Sequence, residues 1–170
     1  MSEFTPADAL LEQLEGGFAS RDNSAGAVNF GITERWYRSA IDPNATSETI
    51  RNLTREQARE IRRVYWWPMW GQIANQRLAT ALYVTAVNTG PRQTITLLQR
   101  ALNKLDAGLK EDGIMGPRTE AALQAAESYH DWIVDCFKYV LLTFYRKLAA
   151  SNPAQYADDL PGWQARVKRL

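Results

Sequence analysis

The chain has 170 residues, of which 45% are hydrophobic and 23% charged, a composition typical of one globular domain rather than a disordered chain. Its formal net charge of +1 gives no sign of the basic surface that nucleic-acid binding requires, so we expect no nucleic-acid partner. The single cysteine, Cys136, cannot form an internal disulfide and is either a small buried apolar side chain or a nucleophile.

The amino-terminal segment MSEFTPADALLEQLE lacks both a basic start and a long apolar stretch, so it does not resemble a signal peptide. The most apolar run, residues 133–145, contains Asp135 and Lys138 and is therefore unsuited to crossing a bilayer. We expect synthesis in the cytoplasm without stable membrane insertion, so that any target outside the cytoplasm must be reached by a separate route.

The first predicted helix begins at Thr5 as the N-cap, with Pro6 at the first helical position and Asp8 in the first turn. Apolar side chains then recur at helical spacing at Leu10, Leu11, Leu14 and Phe18. Gly16 and Gly17 are expected to end this helix.

Glu15 stands at the end of this helix, which is an unfavourable place for a negative charge. It is either a solvated side chain beside a glycine cap or an acid whose pKa is raised by hydrophobic neighbours. Asp22 follows in a polar loop. A carboxyl on a rigid helix end that faces a polar group on a loop is the arrangement that glycosidic bond hydrolysis requires.

Alternating apolar positions over residues 28–32 predict a short strand in a small β-hairpin, the only β structure that the sequence indicates. Helices are predicted over residues 33–40 and from the capping box of residues 54–57. Three tryptophans follow at Trp66, Trp67 and Trp70. Because adjacent helical side chains point about 100° apart, at least one of the three tryptophans should lie near the surface. Each tryptophan is either part of the core or a flat surface that stacks on a sugar ring.

Residues 78–88 form an apolar segment without charge, which is typical of a helix at the centre of a domain. Asn88 at its end is either a helix cap or an amide that points into a cleft. Further helices are predicted over residues 95–102, 117–126, 129–150 and 163–170. The sequence therefore predicts a mainly α (α+β) fold, a helical bundle around a central apolar helix with an amino-terminal β-hairpin insertion.

The order of these motifs resembles glycoside hydrolase family 108, lysozyme-like N-acetylmuramidases found as phage endolysins and as bacterial secretion-associated muramidases. The resembling segments are Glu15-Gly16-Gly17-Phe18, Asn29-Phe30-Gly31-Ile32-Thr33, residues 53–58, residues 86–91 and residues 98–102. Residues 112–119 and 162–167 resemble the family's carboxy-terminal segment, which is often described as a predicted peptidoglycan domain.

The resemblance implies a lysozyme-like fold with a catalytic region at residues 1–90 and a helical, peptidoglycan-domain-like region at residues 91–170, packed together as one globular unit. It implies that Glu15 is the general acid for the β-1,4 bond between N-acetylmuramic acid and N-acetylglucosamine, with Asp22 assisting. The expected substrate-binding residues are Phe30, Thr33, Trp66 and Asn88.

No metal or organic cofactor is expected, because acid chemistry with water suffices. The implied partners are peptidoglycan glycan strands and a holin or a secretion or lysis system, which would give access to the cell wall in the periplasm or outside the cell.

One position departs from the family pattern. Where related enzymes use a loop threonine to help place the attacking water, this chain has Val28, and the preceding loop is shorter. Either Asp22, Asn23 or Asn29 takes that role, or the enzyme is slow, or the chain is a non-catalytic peptidoglycan-binding or structural protein on a lysozyme scaffold. A chitinase or a lytic transglycosylase on a similar fold is the remaining alternative.

Overall fold

A computed structural model of the protein describes residues 1–15 and 26–170, and most of these residues lie in helices. The helices are α1 (Phe4–Leu14), α2 (Glu34–Ala40), α3 (Ser47–Arg51), α4 (Arg55–Ile61), α5 (Trp67–Trp70), α6 (Gln76–Thr89), α7 (Pro91–Asn103), α8 (Pro117–Ala125), α9 (His130–Ser151), α10 (Pro153–Tyr156) and α11 (Leu160–Arg169). A π-helical turn, Arg62–Trp66, joins α4 to α5, and a 3₁₀ turn, Ala126–Tyr129, joins α8 to α9. The mainly α prediction is confirmed. The glycine pair at residues 16–17 and Phe18 lie outside the described residues.

The strands β1 (Val28–Asn29) and β2 (Ile32–Thr33) form the predicted hairpin. The pairing is antiparallel, with Val28 opposite Thr33 and Asn29 opposite Ile32. The two turn residues, Phe30 and Gly31, have φ angles of 49° and 78°, which are the positive values that a type I′ turn requires. The tight turn places Asn29 and Ile32 on one face of the hairpin, where both are buried.

Helix α6 is the central helix, as its composition predicts. Asn75 caps it, because its Oδ1 accepts a hydrogen bond from the backbone N–H of Leu78 at 3.0 Å. Its buried residues are Leu78, Ala79, Ala81, Leu82, Tyr83, Val84 and Thr85. The helix packs against α1, α7 and α9, and each buried leucine stabilises the fold by roughly 1.5–3 kcal/mol.

A second, smaller apolar cluster lies beneath the hairpin. Its buried members are Ala27, Ile32, Ile50, Leu53 and Ala58. The Asn29 amide nitrogen donates to the backbone carbonyls of Ile50, Arg51 and Leu53 at 3.1, 3.2 and 3.4 Å. These hydrogen bonds hold the hairpin against α3 and the turn that follows it.

The predicted capping box of α4 is confirmed. Thr54 Oγ1 accepts from the Gln57 backbone N–H at 3.2 Å, and Gln57 Oε1 accepts from the Thr54 backbone N–H at 2.9 Å. These reciprocal bonds fix where α4 begins, and α4 in turn carries the chain into the π-helical turn.

The predicted start of α1 is wrong by two residues. The helix begins at Phe4 with Glu3 at the N-cap position, and Thr5 Oγ1 accepts from Arg59 instead of capping the helix. Pro6 is compatible with this start because the first-turn N–H groups have no partner within the helix. Asp8 lies past the first turn and is buried. Among the described residues, no helix is long and apolar enough to cross a membrane.

Candidate active site

Glu15 follows α1 directly and leaves the helix with φ −87° and ψ 142°. Its side chain is 17% exposed, and its Oε1 is buried without a hydrogen bond from any residue that the structure describes. Among the described residues the nearest cation is Arg166, whose Nη2 lies 3.6 Å from Oε1, which is too long for a hydrogen bond. A buried carboxylate oxygen without a partner is unfavourable and is therefore a marker of a functional position.

The hairpin turn reaches the Glu15 carboxyl because residue 31 is a glycine. A Cβ atom at Gly31 would lie 3.6 Å from Glu15 Oε2 and only 2.9 Å from Val87 Cγ1. The space and the positive φ of this residue both require glycine. Glu15 is consequently held between the hairpin on one side and Arg166 of α11 on the other.

One cavity beside this carboxyl is walled by aromatic rings. The aromatic cavity has a volume of about 360 Å³ and is lined by Gly31, Thr33, Trp36, Tyr65, Trp66, Met69, Trp70, Ala86, Val87, Gly90 and Pro91. Trp36 lies edge-on to Trp66 and Tyr65, with ring centroids 5.0 and 5.6 Å apart. Flat apolar walls of this kind suit the faces of sugar rings.

The three tryptophans differ in their surroundings: Trp66 and Trp70 line the aromatic cavity, and Trp67 does not. Trp67 and Trp70 are 9% and 1% exposed and belong to the main core, whereas Trp66 is partly exposed. The prediction that at least one of the three lies near the surface is therefore confirmed. The π-helical turn adds a residue to the helical backbone at this point, which turns Trp66 toward the cavity and Arg62 toward the interior.

A buried ionic network beneath the site was not predicted from the sequence. Arg62, 1% exposed, donates from Nε and Nη2 to the two carboxylate oxygens of Asp8 at 2.7 and 2.9 Å. Tyr83 donates its hydroxyl proton to Asp8 Oδ1 at 2.7 Å, and Arg62 Nη2 also donates to Glu12 at 3.3 Å. The remaining Nη1 donates to the Phe30 carbonyl at 3.0 Å, so one guanidinium ties α1 to the hairpin turn.

The charges of this network stabilise one another. Burial alone would lower the pKa of Arg62, but the hydrogen bond and the negative charge of Asp8 raise it above its ordinary value. Burial, followed by the charge of Asp8, raises the pKa of Tyr83 well above its usual range. Asp8 and Glu12 form ion pairs with arginines at positions 55, 59 and 62. Both sets of charges recur at helical spacing in the sequence, and this pattern is the one sequence feature that could have indicated the network.

Arg166 and the two residues that precede Glu15 line a second, larger cavity. The polar cavity has a volume of about 800 Å³ and is lined by Gln13, Leu14, Asn88, Thr89, Gln93, Phe144, Tyr145, Leu148, Tyr156, Asp158, Asp159, Gly162, Trp163, Ala165, Arg166 and Arg169. Asn88 lines this cavity and not the aromatic one. Its amide nitrogen donates to the Val84 carbonyl at 2.9 Å, so the side chain closes the end of α6 and also borders the cleft.

The predicted site residues are thus only partly brought together. Thr33 and Trp66 line the aromatic cavity, next to Gly31 and the Glu15 carboxyl. Phe30 lines neither cavity: its ring packs on the small cluster and under the Arg55 guanidinium, 5.3 Å from the ring centroid. Asp22 and Asn23 lie outside the described residues.

Val28 lies opposite Thr33 in the hairpin and is partly exposed. Asn29, one of the alternatives for placing a water molecule, is 4% exposed and points away from the cavity toward α3. Its amide nitrogen is bound to backbone carbonyls, so the structure places Asn29 in the support of the hairpin. The residue of β1 that pairs with Thr33 is thus an apolar one.

Cys136 is partly buried and packs against the main core. Burial, together with the negative charge of Asp135, raises the pKa of its thiol. A raised pKa keeps the thiol protonated, which is the opposite of what a cysteine nucleophile requires. The structure favours the apolar interpretation of this residue.

Two family models and one solved structure are similar to this chain. The family model described as Glycosyl hydrolase 108 matches residues 9–90, and the model described as Predicted Peptidoglycan domain matches residues 93–168. A solved structure of Brucella abortus SagA has a similar fold, with a TM-score of 0.70 and 21% sequence identity over 96% of this chain and 92% of that chain. No curated protein matches the sequence.

Proposed function

Because the chain belongs to the glycosyl hydrolase 108 family through residues 9–90 and continues into a predicted peptidoglycan domain, we propose that it is an N-acetylmuramidase. It cleaves the β-1,4 bond between N-acetylmuramic acid and N-acetylglucosamine, with Glu15 as the general acid. The observation that supports this role is the buried Oε1 of Glu15, which has no hydrogen-bond partner among the described residues and lies near Gly31 of the aromatic cavity.

Cleavage of a glycosidic bond requires a proton on the leaving oxygen while positive charge develops on the sugar ring. Glu15 suits the first task because the end of α1 and the Gly31 turn hold its carboxyl at one place. The rings of Trp36 and Trp66 offer faces for the sugar rings on either side of the scissile bond. Asp22 is proposed as the group that assists the attacking water.

We propose a separate role for each of the two regions of the chain. Residues 1–90 act as the catalytic region and residues 91–170 as a wall-binding region on the same globular unit. The contact between Arg166 of α11 and Glu15 supports a site to which both regions contribute. The proposed target is the cell wall in the periplasm or outside the cell, reached through a holin-like pore or a secretion or lysis system.

A second candidate function is peptidoglycan binding without hydrolysis. Val28 favours it, because its strand partner Thr33 lines the aromatic cavity and a valine side chain cannot donate or accept a hydrogen bond to orient water. This candidate retains the same cavities and the same ligand but omits the chemical step.

The test compares wild type, Glu15→Gln and the exposed control Glu56→Gln on purified sacculi, with fragments identified by mass spectrometry. We expect wild type and the control to release fragments with reducing muramic acid ends. Glu15→Gln should release them about 10²-fold more slowly, since it cannot deliver a proton. Unchanged release by Glu15→Gln would refute the assignment.

The same experiment separates the alternatives. Sedimentation of the wild-type protein with sacculi, but without release of sugar fragments, would favour the second candidate. Anhydro sugar ends in place of reducing ends would identify a lytic transglycosylase.

A further inference from the structure

The polar cavity is larger than the aromatic one, is lined by Arg166 beside Glu15, and has no part in the proposed cleavage of the glycosidic bond. We infer that it binds the peptide that peptidoglycan carries on each N-acetylmuramic acid, so that the protein selects glycan that still bears its peptides. This inference rests on the proposed function of the Glu15 site and adds a specificity to it.

The first argument is position. Gln13 and Leu14, which line the polar cavity, directly precede Glu15, and Gly31, which lines the aromatic cavity, lies on the other side of its carboxyl. Arg166 lines the polar cavity and lies 3.6 Å from Glu15 Oε1. Each oxygen of the Glu15 carboxyl therefore lies near a residue that lines one of the two cavities, Oε1 near Arg166 of the polar cavity and Oε2 near Gly31 of the aromatic cavity. A substituent on a sugar bound at Glu15 has the polar cavity as its neighbouring space.

The second argument is the chemistry of the two cavities, which matches the two parts of the substrate. The glycan consists of sugar rings with apolar faces, and the aromatic cavity offers ring faces. The attached peptide carries carboxylates and, on its diamino residue, an ammonium group. The polar cavity carries both signs of charge, with the guanidinium groups of Arg166 and Arg169 and the carboxylates of Asp158 and Asp159.

The carboxylates of the polar cavity are available to a ligand. Asp158 and Asp159 are exposed, and within the part of the chain that the structure describes their side chains take part in no hydrogen bond or ion pair. Asp159 even occupies the N-cap position of α11 without making a capping hydrogen bond. Arg169, by contrast, is already held, because its Nη2 donates to Gln13 Oε1 at 2.7 Å. A fixed cation and two free anions form a site for a zwitterionic chain.

The third argument is the rigidity and size of the polar cavity. The Trp163 ring stacks on Tyr145 with centroids 4.9 Å apart and an interplanar angle of 27°, and it contacts Tyr156 at 5.8 Å. These packed rings fix one wall of the cavity before a ligand binds, which reduces the ordering that binding requires. The volume of about 800 Å³ is more than twice that of the aromatic cavity and accommodates a peptide of several residues.

The experiment measures binding of soluble glycan oligomers by calorimetry to the Glu15→Gln protein, whose expected hydrolysis is slow enough to leave the oligomers intact during the titration. One sample carries its peptides, and the other is the same material after an N-acetylmuramoyl-L-alanine amidase has removed them. Asp158→Asn with Asp159→Asn removes the free charges without loss of side-chain volume. Asp106→Asn with Asp135→Asn, two exposed carboxylates of the same region outside the cavity, is the matched control.

We expect the peptide-bearing oligomers to bind more tightly than the stripped ones. The cavity variant should reduce the ratio of the two affinities by about 3- to 10-fold, the effect of losing two partly solvated ion pairs, and the control pair should leave the ratio unchanged. Equal affinity for both oligomers, or an equal change for both in the cavity variant, would overturn the inference.

This result is independent of the test of hydrolysis. If wild type releases no sugar from sacculi while the affinity ratio responds as expected, the muramidase proposal is wrong and the peptide site stands. If wild type cleaves both oligomers equally well and the ratio is one, the muramidase proposal stands and the peptide site is wrong.

Discussion

Arg166 Nη2 lies 3.6 Å from Oε1 of Glu15, so the last helix of the chain reaches the carboxyl at the end of the first one. The same nitrogen donates to the Leu14 carbonyl at 3.3 Å, which ties the guanidinium to the backbone beside Glu15. The two side chains are 19% and 17% exposed, so solvent screens their interaction only in part. Arg166 is therefore a candidate positioning residue for the proposed acid.

The first prediction concerns Arg166→Met, which keeps an unbranched side chain and removes the charge. We expect kcat for soluble glycan oligomers to fall by about 10- to 100-fold with a smaller change in KM, because a misplaced acid slows the reaction more than it weakens binding. Arg166→Lys should recover part of the loss.

The control for this prediction is Lys168→Met on the exposed side of the same helix. It removes one positive charge from α11 without a contact to Glu15, and its kinetic constants should equal those of wild type. A purely structural role of Arg166 would instead lower the melting temperature and leave kcat of the folded fraction unchanged.

The second prediction concerns the buried pair Arg62 and Asp8. Arg62→Met should lower the free energy of unfolding by about 3–5 kcal/mol, because it leaves the Asp8 carboxylate buried beside an apolar side chain. Urea denaturation measures this loss. Adding Asp8→Leu should restore part of the stability, since the double variant no longer buries an unpaired charge.

Arg63→Met is the matched control for Arg62→Met. The neighbouring Arg63 forms its ion pair with Glu60 on the surface, where both side chains are more than half exposed. Its removal should change the unfolding curve far less than the removal of Arg62. Equal effects of the two substitutions would show that the buried pair does not hold α1 against the hairpin.

The features that could be predicted from the sequence are those set by neighbours in the chain. The capping box at Thr54 and Gln57 depends on a spacing of three residues, and the buried length of α6 depends on a run without charges. Short-range geometry of this kind leaves a readable pattern. The Phe30-Gly31 turn was not predicted, because the alternating apolar positions of residues 28–32 favour a strand through Phe30.

The features that were missed depend on contacts between distant segments. The pairing of Arg62 with Asp8 is buried between two helices, and the approach of Arg166 to Glu15 joins the two ends of the chain. The π-helical turn, which ends at Trp66, also depends on tertiary contacts, because Trp66 is partly exposed whereas the next residue, Trp67, is buried in the main core. Periodicity could indicate that one tryptophan is exposed but not which cavity it lines.

The third prediction concerns stability at high pH. Burial raises the pKa of Tyr145 from 10.0 to about 12, so between these values the unfolded chain has lost a proton that the folded protein retains. The free energy of unfolding should therefore fall as pH rises through this window, by about 1.4 kcal/mol per pH unit for this tyrosine. The raised pKa of Tyr83 acts in the same direction.

Urea titrations at several pH values from 9 to 11.5 measure this slope, and Tyr145→Phe should make it shallower while keeping the ring stacked on Trp163. Tyr139→Phe, which removes a hydroxyl from a tyrosine that is 64% exposed, is the control. If Tyr145→Phe and Tyr139→Phe have the same slope, burial of Tyr145 does not contribute to alkaline unfolding.

The fourth prediction concerns Val28, which pairs with Thr33 in the hairpin, and Thr33 lines the aromatic cavity. Val28→Thr changes one methyl group into a hydroxyl at nearly constant volume and supplies a donor and acceptor for a water molecule. We expect the rate of reducing-end release from sacculi to rise by about tenfold, less than the roughly 10²- to 10⁴-fold of a proton-transfer partner, because the hydroxyl only orients the water.

Val28→Ala is the control, because it opens the same space without a hydroxyl and should not increase the rate. A gain for Val28→Thr alone would show that water placement limits this site, whether wild type is slow or inactive. No gain in a folded Val28→Thr protein would mean that another group orients the water, and Asp22→Asn should then abolish the release that remains.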